Sequence, residues 1–196
     1  MKEKGNTFRL FWIRAHVGVE GNERADALAK EAARTKKTAP NYDKCPLSFI
    51  KHSIRKNTLE IWNKRYQNGE TAALTKLFFP DVYSAFGVVR RTRLTPIHVQ
   101  VLTGHGGFGH YLKRFKCKDD SVCDCDPANE GSVLHLLLDC PKYCKDRYEL
   151  ERKTDMKVQK ETLDVLITNR NCQTAFLEFS TKVAKAAINR NKTKLL

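Results

Sequence analysis

Apolar residues recur at helical spacing along most of this chain. From 47 to 68 they fall at Leu47, Ile50, Ile54, Leu59, Ile61, Trp62 and Tyr66, with Lys51, Arg55, Lys56, Lys64 and Arg65 between them. That period predicts an amphipathic helix closed by Asn68-Gly69, and it puts Trp62 in the apolar stripe, as core rather than as a stacking platform. Pro96 opens another predicted helix, with Ile97, Val101 and Leu102 on one side. Phe108, Tyr111, Leu112 and Phe115 predict a further one. Between them, Gly104-His105-Gly106-Gly107 lacks the spacing and lysine of a phosphate-cradling P-loop, so it reads as a tight connection, with His105 and His110 structural or on the surface. Residues 74–89 are short apolar pieces broken by Pro80 and Gly87, which helix and strand explain equally well. Two amphipathic helices are expected after Val158, covering the core, and Asn189 to Leu196 reads as a frayed basic tail.

The beginning of the chain has clear strand character. Phe8 to Ile13 is a run of aromatic and branched residues, followed by a turn with Gly18 and Gly21. Asn22 is placed to cap a helix whose apolar positions are Ala25, Leu28, Ala29 and Ala32. Asn22 and Asp26 then share a face at its first turn, and the loop can bring His16 to the same corner. Arg34 to Pro46, polar and with two prolines, reads as a linker with a boundary near residue 38. The expected fold is therefore mainly α: a β-α piece over residues 1–34, a basic helical segment over 39–116, a Cys/His metal loop over 117–148, and helices over 149–196.

Charge changes this picture in the middle of the chain. The formal net charge of +14 divides into +2 over residues 1–34, +11 over 35–116 and +1 over 117–196. A basic field concentrated in one segment favours phosphate backbones and makes binding fall with salt; a generic solvated surface is the alternative. Arg90, Arg91 and Arg93 form the tightest basic cluster, and phosphate recognition and plain solvation account for it equally.

The 7 cysteines are an odd number, and Met1 to Lys4 starts no apolar signal core. No apolar run reaches the length of a membrane span. An intracellular chain, nuclear or cytoplasmic, is expected, with clustered cysteines serving metal rather than disulfides. Cys123, Cys125, His135 and Cys140 fall within eighteen residues and make a tetrahedral zinc set of three thiolates and one imidazole. Asp126-Pro127 is placed to turn the first two sulfurs inward. His135 sits inside the apolar run Val133 to Leu138, where it needs a partner, and a metal is one way to supply it. Cys117 and Cys144 are alternates for a member of this set. Reduced core cysteines beside a hydrogen-bonded histidine are the other explanation.

Two resemblances bear on function. Trp12, His16, Gly18, Gly21, Asn22, Glu23, Ala25, Asp26, Leu28 and Ala29 resemble the C-terminal end of a type 1 ribonuclease H domain, with its last strand, loop histidine and helix opening G-N-x-x-A-D. The resemblance implies that Asp26 is one of four carboxylates holding two divalent ions, magnesium in an intact domain, while His16 assists turnover and Asn22 lies at the nucleic-acid side. Only Glu3 precedes Phe8 as an acid, and one carboxylate cannot build a two-metal site. Leu102 to Phe115, then C-x-C, then His135 to Pro141 resemble the C-terminal region of non-LTR retrotransposon polyproteins. There a reverse transcriptase is followed by ribonuclease H and a Cys/His tail.

The expected function is a piece of such a polyprotein that does not hydrolyse RNA–DNA hybrid alone. It would bind RNA, DNA or the hybrid through residues 35–116, including Arg90, Arg91 and Arg93, and through a structural zinc module. Three other expectations stand beside it: a ribonuclease H completed by the upstream polyprotein region, a zinc-stabilised helical module that binds protein, and a decayed element without a selected function.

Overall fold

The computed structural model describes residues 11–12, 14, 17–35 and 45–193, and these described residues are mainly helical with one two-stranded sheet. It divides into two compact units, Met1–Leu47 and Ser48–Leu196. In the first, helix α1 spans Glu20–Thr35. Asn22 is not its cap. Gly18 turns the chain at φ 78, Val19 takes the position before the helix, and the Val19 carbonyl accepts the N–H groups of Asn22 and Glu23. Asn22 therefore falls inside the first turn. Glu20 and Glu23 set negative charge against the positive end of the helix dipole. No residue of α1 is buried, and Phe11 and Trp12 are exposed without regular structure. Most of the expected strand, Phe8 to Ile13, lies outside the described residues, as do His16 and residues 36–44 of the linker.

Helix α2, Leu47–Asn68, spans the predicted residues but buries none of them. Trp62 is 51% exposed, so the expectation of a core tryptophan fails. The reason is that α2 holds to its neighbours by polar groups near its C-terminal end. The Tyr66 hydroxyl donates to the Phe79 carbonyl at 2.7 Å, Asn63 Oδ1 accepts the Val82 N–H at 2.9 Å, and Lys76 donates to the Gly69 carbonyl.

The open choice over 74–89 resolves to helix: α3 (Ala73–Phe78) and α4 (Val82–Arg91). Asp81 caps α4 by accepting the Ser84 N–H at 2.8 Å. Helix α5, Pro96–Thr103, opens with Pro96 behind a reciprocal cap: Thr95 Oγ1 accepts the His98 N–H, and His98 Nδ1 accepts the Thr95 N–H. It stops at Gly104, where φ is 72 and a Cβ would meet Leu74 at 2.8 Å. Helix α6 follows at Gly109–Arg114.

After a hairpin of β1 (Val122–Cys123) and β2 (Asp126–Glu130), a π-helical turn at His135–Asp139 and a 3-10 turn at Pro141–Tyr143 lead into α7, Cys144–Thr154. Helix α8 is Leu163–Thr168 and α9 is Arg170–Thr193. Helix α9 packs against α5, α7 and α8. Its buried residues Cys172, Phe176, Phe179, Val183, Ala187 and Asn191 recur every three or four positions, so one face enters the core throughout. Phe176 lies 6.1 Å from Phe78, ring to ring, and both are fully buried; each such burial contributes about 2 kcal/mol. One core runs from Phe78 to Ala187, across all three segments expected after residue 38. The expected frayed tail is corrected as well. Helix continues to Thr193, and Asn191, buried, donates from Nδ2 to the Gly107 carbonyl at 2.6 Å. That bond ties the end of α9 to the glycine turn before α6.

Candidate metal centre

The hairpin and the π turn meet. Cys123 ends β1, and Asp124-Cys125 make the two-residue turn, because Cys123 pairs across the ladder with Asp126. The turn expected at Asp126-Pro127 is thus two residues early, and Asp126 begins β2, with its carboxylate accepting the Ala128 N–H at 2.9 Å. From the other side come His135 and Cys140. Five residues around an α-helix of 3.6 residues per turn would set them about 140° apart. Here the Cys140 N–H donates to the His135 carbonyl at 2.7 Å, the wider π spacing, which returns both side chains to one side. Buried Leu136 and Leu137 anchor the turn in the core.

The sulfurs of Cys123, Cys125 and Cys140 and a ring nitrogen of His135 all lie within 4.8 Å of one another. Cys125 Sγ is 3.1 Å from His135 Nε2, and Cys123 Sγ is 3.9 Å from Cys140 Sγ. A tetrahedron with zinc–sulfur arms of about 2.3 Å has edges of about 3.8 Å, so the donor set fits a tetrahedral ion without rearrangement of the backbone. The four residues could hold a metal ion.

Electrostatics favours a cation here. Burial, together with the neighbouring sulfurs of Cys123 and Cys140, pushes the Cys125 thiol up to about 12. Burial also pushes Cys140 up. For Cys123 burial acts in the same direction, but hydrogen bonds from the Cys125 N–H and the two other thiols, with the Arg190 charge, outweigh it and hold this group below its ordinary value. Three sulfurs at this spacing cannot all ionise against one another, and a dication removes that repulsion.

Charged groups that the sequence did not single out hold the two halves in place. Arg147 donates from Nε to the Leu137 carbonyl at 2.8 Å and from Nη2 to the Cys140 carbonyl at 3.0 Å. It therefore clamps the carbonyls around the π turn. Asp124, between the two hairpin cysteines, pairs with Arg190 at 3.1 Å and Lys142 at 3.7 Å. At the hairpin base, Glu130 pairs with His110 and accepts from Ser121, and these contacts, His110 first, hold its carboxyl below the ordinary range. An aspartate inside the C-x-C was the one visible signal for these contacts; Arg147, on the helix that follows the π turn, and Arg190, far along the chain on α9, had none.

The other expected site residues separate. Cys117 and Cys144 are exposed and stand outside the cluster. Asp26 pairs with Lys30 at 2.6 Å on α1, and among the described residues it belongs to no group of three or more potential metal ligands. Of the arginine cluster, Arg90 lies over the Phe86 ring at 5.3 Å, and Arg91 donates to the Thr168 carbonyl at 2.8 Å. Arg93 is exposed.

Among known proteins, the chain is similar to the retrovirus-related Pol polyprotein from type-1 retrotransposable element R1 4 of Nasonia vitripennis, 36% identical over 96 residues. That match takes in 46% of this chain and 23% of the polyprotein. It is also similar to the corresponding R1 polyprotein of Bradysia coprophila, 32% identical over 103 residues, 49% of this chain and 9% of that one. No family model and no solved structure matches. The chain thus spans less than a quarter of the curated relatives it matches. Among the described residues no helix is long and apolar enough to cross a membrane.

Proposed function

We infer that this chain, related to the Pol polyproteins of non-LTR retrotransposons, serves as a nucleic-acid-binding module whose hairpin and π turn are joined by one zinc ion. The observation that carries this reading is the convergence of Cys123, Cys125, His135 and Cys140, from two separate elements, on a space of tetrahedral size. Zinc would be held by Cys123, Cys125, His135 and Cys140 and would supply positive charge and a fixed crosslink there. The net +11 of residues 35–116 supports a polyanionic partner, RNA, DNA or their hybrid.

Ribonuclease H ancestry for the first unit rests on the motif from Trp12 to Ala29. With Asp26 as its matched carboxylate, this chain supplies too few oxygens for two magnesium ions, so hybrid cleavage is not expected of it alone. His16 and Asp26 would act only in a site completed by another segment of the polyprotein.

The test is metal content and nucleic-acid binding of the purified chain beside Cys125→Ser. One zinc per chain, lost in the variant, with binding that weakens steeply as salt rises, is the expected result. A metal-free wild-type chain without affinity for RNA or DNA overturns the reading. A second reading, a zinc-stabilised module that binds protein, draws on the exposed apolar residues Leu47, Phe49, Ile54 and Trp62 of α2, and salt-insensitive binding to a protein partner would favour it.

A further inference from the structure

A cleft of roughly 580 Å³ opens beside the glycine turn, away from the metal cluster, between the residues that lead into α3 and the first turns of α6. His105 and Tyr111 line it and belong to a row of rings that Phe115 continues past the lining. His105 meets Tyr111 edge to face at 5.1 Å, and Tyr111 lies 4.5 Å from Phe115. His105 is exposed and Phe115 is 53% exposed, so both ends of the row face solvent while Tyr111, half-buried, anchors it against the core. Arg114 lines the cleft and lies 5.9 Å over the Phe115 ring. Lys113 and Lys116, both exposed, add positive charge to the same short stretch of chain, with Lys116 at φ 57 just after α6.

Core formation explains Tyr111 but not the rings on either side of it. Exposed aromatic groups cost solvation, and placing cations beside them is what single-stranded nucleic acid requires: a face for the base and a charge for the phosphate. Glu70, also in the lining, disfavours phosphate at its own end. It leaves the backbone to run along the Arg114 edge and can accept from an amino group on a base.

We propose that this cleft is a stacking site for an unpaired nucleotide of single-stranded RNA or DNA, with the base against the His105–Tyr111–Phe115 row and the phosphate on Arg114. The proposal rests on the nucleic-acid reading above and narrows it, because bases inside a duplex are stacked on both faces.

Binding of a fluorescent 12-nucleotide single strand, as RNA and as DNA, is compared with a same-length abasic phosphodiester and a blunt duplex. The proteins are the full wild-type chain, His105→Ala, Phe115→Ala and Phe115→Trp. The exposed positions spare the fold, which circular dichroism checks. Loss of one stacked base is expected to weaken single-strand binding by about tenfold or more in each alanine variant. Phe115→Trp should retain affinity, and duplex and abasic binding should be unchanged. Equal losses for base-bearing and abasic strands, or no loss in either alanine variant while the wild type still binds, overturn the stacking site and leave the charge-based reading standing. A wild type that binds none of the probes overturns both. A difference between the RNA and DNA arms identifies which strand the site prefers.

Discussion

Arg147→Met would remove the clamp on the π turn while keeping most of the side chain's apolar stem. The guanidinium serves two carbonyls, of Leu137 at 2.8 Å and of Cys140 at 3.0 Å, and both residues are buried. The Cys140 carbonyl keeps a second donor, the Tyr143 N–H at 3.2 Å, so the loss falls mainly on Leu137. A hydrogen bond to a charged group contributes about 1.5–3 kcal/mol, and the second, partly replaced one less, giving about 2–4 kcal/mol in all. That is a large part of the stability of an ordinary domain. With a urea dependence of about 2 kcal/mol per molar, the unfolding midpoint should move down by about 1–2 M. Unfolding followed by circular dichroism measures this, on chain prepared with and without zinc. Because His135 and Cys140 sit at the two ends of the turn, zinc affinity should also fall, by about tenfold or more, as for other groups that orient metal ligands. Arg147→Lys, with one compact donor in place of a fork, should lie between the two. A midpoint within about 0.2 M of wild type would refute the clamp.

Three further outcomes follow from the same geometry. Gly109→Ala should destabilise by about 1–3 kcal/mol, read as a lower melting temperature, because the new Cβ would meet the Ser121 carbonyl oxygen at 2.9 Å, where backbone cannot yield easily. Phe176→Ala should cost about 3–5 kcal/mol in urea unfolding, since the ring is fully buried against Phe78. Glu151 accepts the Val158 N–H and pairs with Lys157, and the hydrogen bond first of all holds its carboxyl below the ordinary 4.5. Its folded value is depressed, so its stabilisation is complete above that ordinary value and disappears as pH falls through the folded one. Glu151→Gln should flatten the acid side of the stability profile below about pH 4.5, and an unchanged profile would count against the contact.

Much of the helical architecture was legible because it rests on local chemistry. Leu47 to Asn68, Pro96 to Gly104 and the residues around Tyr111 carry period, opening proline and closing glycine within a few positions of one another. The four metal-site candidates were legible for a related reason: Cys and His are rare enough that three thiols and an imidazole in eighteen residues stand out. Trp62 was misread because period alone reveals an apolar face and not whether anything covers it. Asn22 was displaced from the cap by the turn at Gly18. Helix α7 carries no apolar period that would mark it in the sequence, since Leu150 is its one buried residue in a strongly charged stretch. Asn189 to Thr193 looked like a tail because Asn191 acts through Gly107, 84 positions away.

Legible in the sequence, then, were a helical chain, a basic middle third, a candidate Cys/His ligand set and a kinship with non-LTR retrotransposon polyproteins. Those properties reside in side-chain identity and short-range spacing. Tertiary structure decided which sulfurs meet, that the hairpin turns at Asp124 rather than Asp126, that a π turn swings His135 and Cys140 to the same side, and that Arg147 and Arg190 brace them. It also decided that His105 and Tyr111 line one cleft and that the Phe115 ring packs beside Tyr111. The physical reason is that hydrogen bonds and charges from distant helices select among local geometries that short-range preference leaves nearly equal in energy.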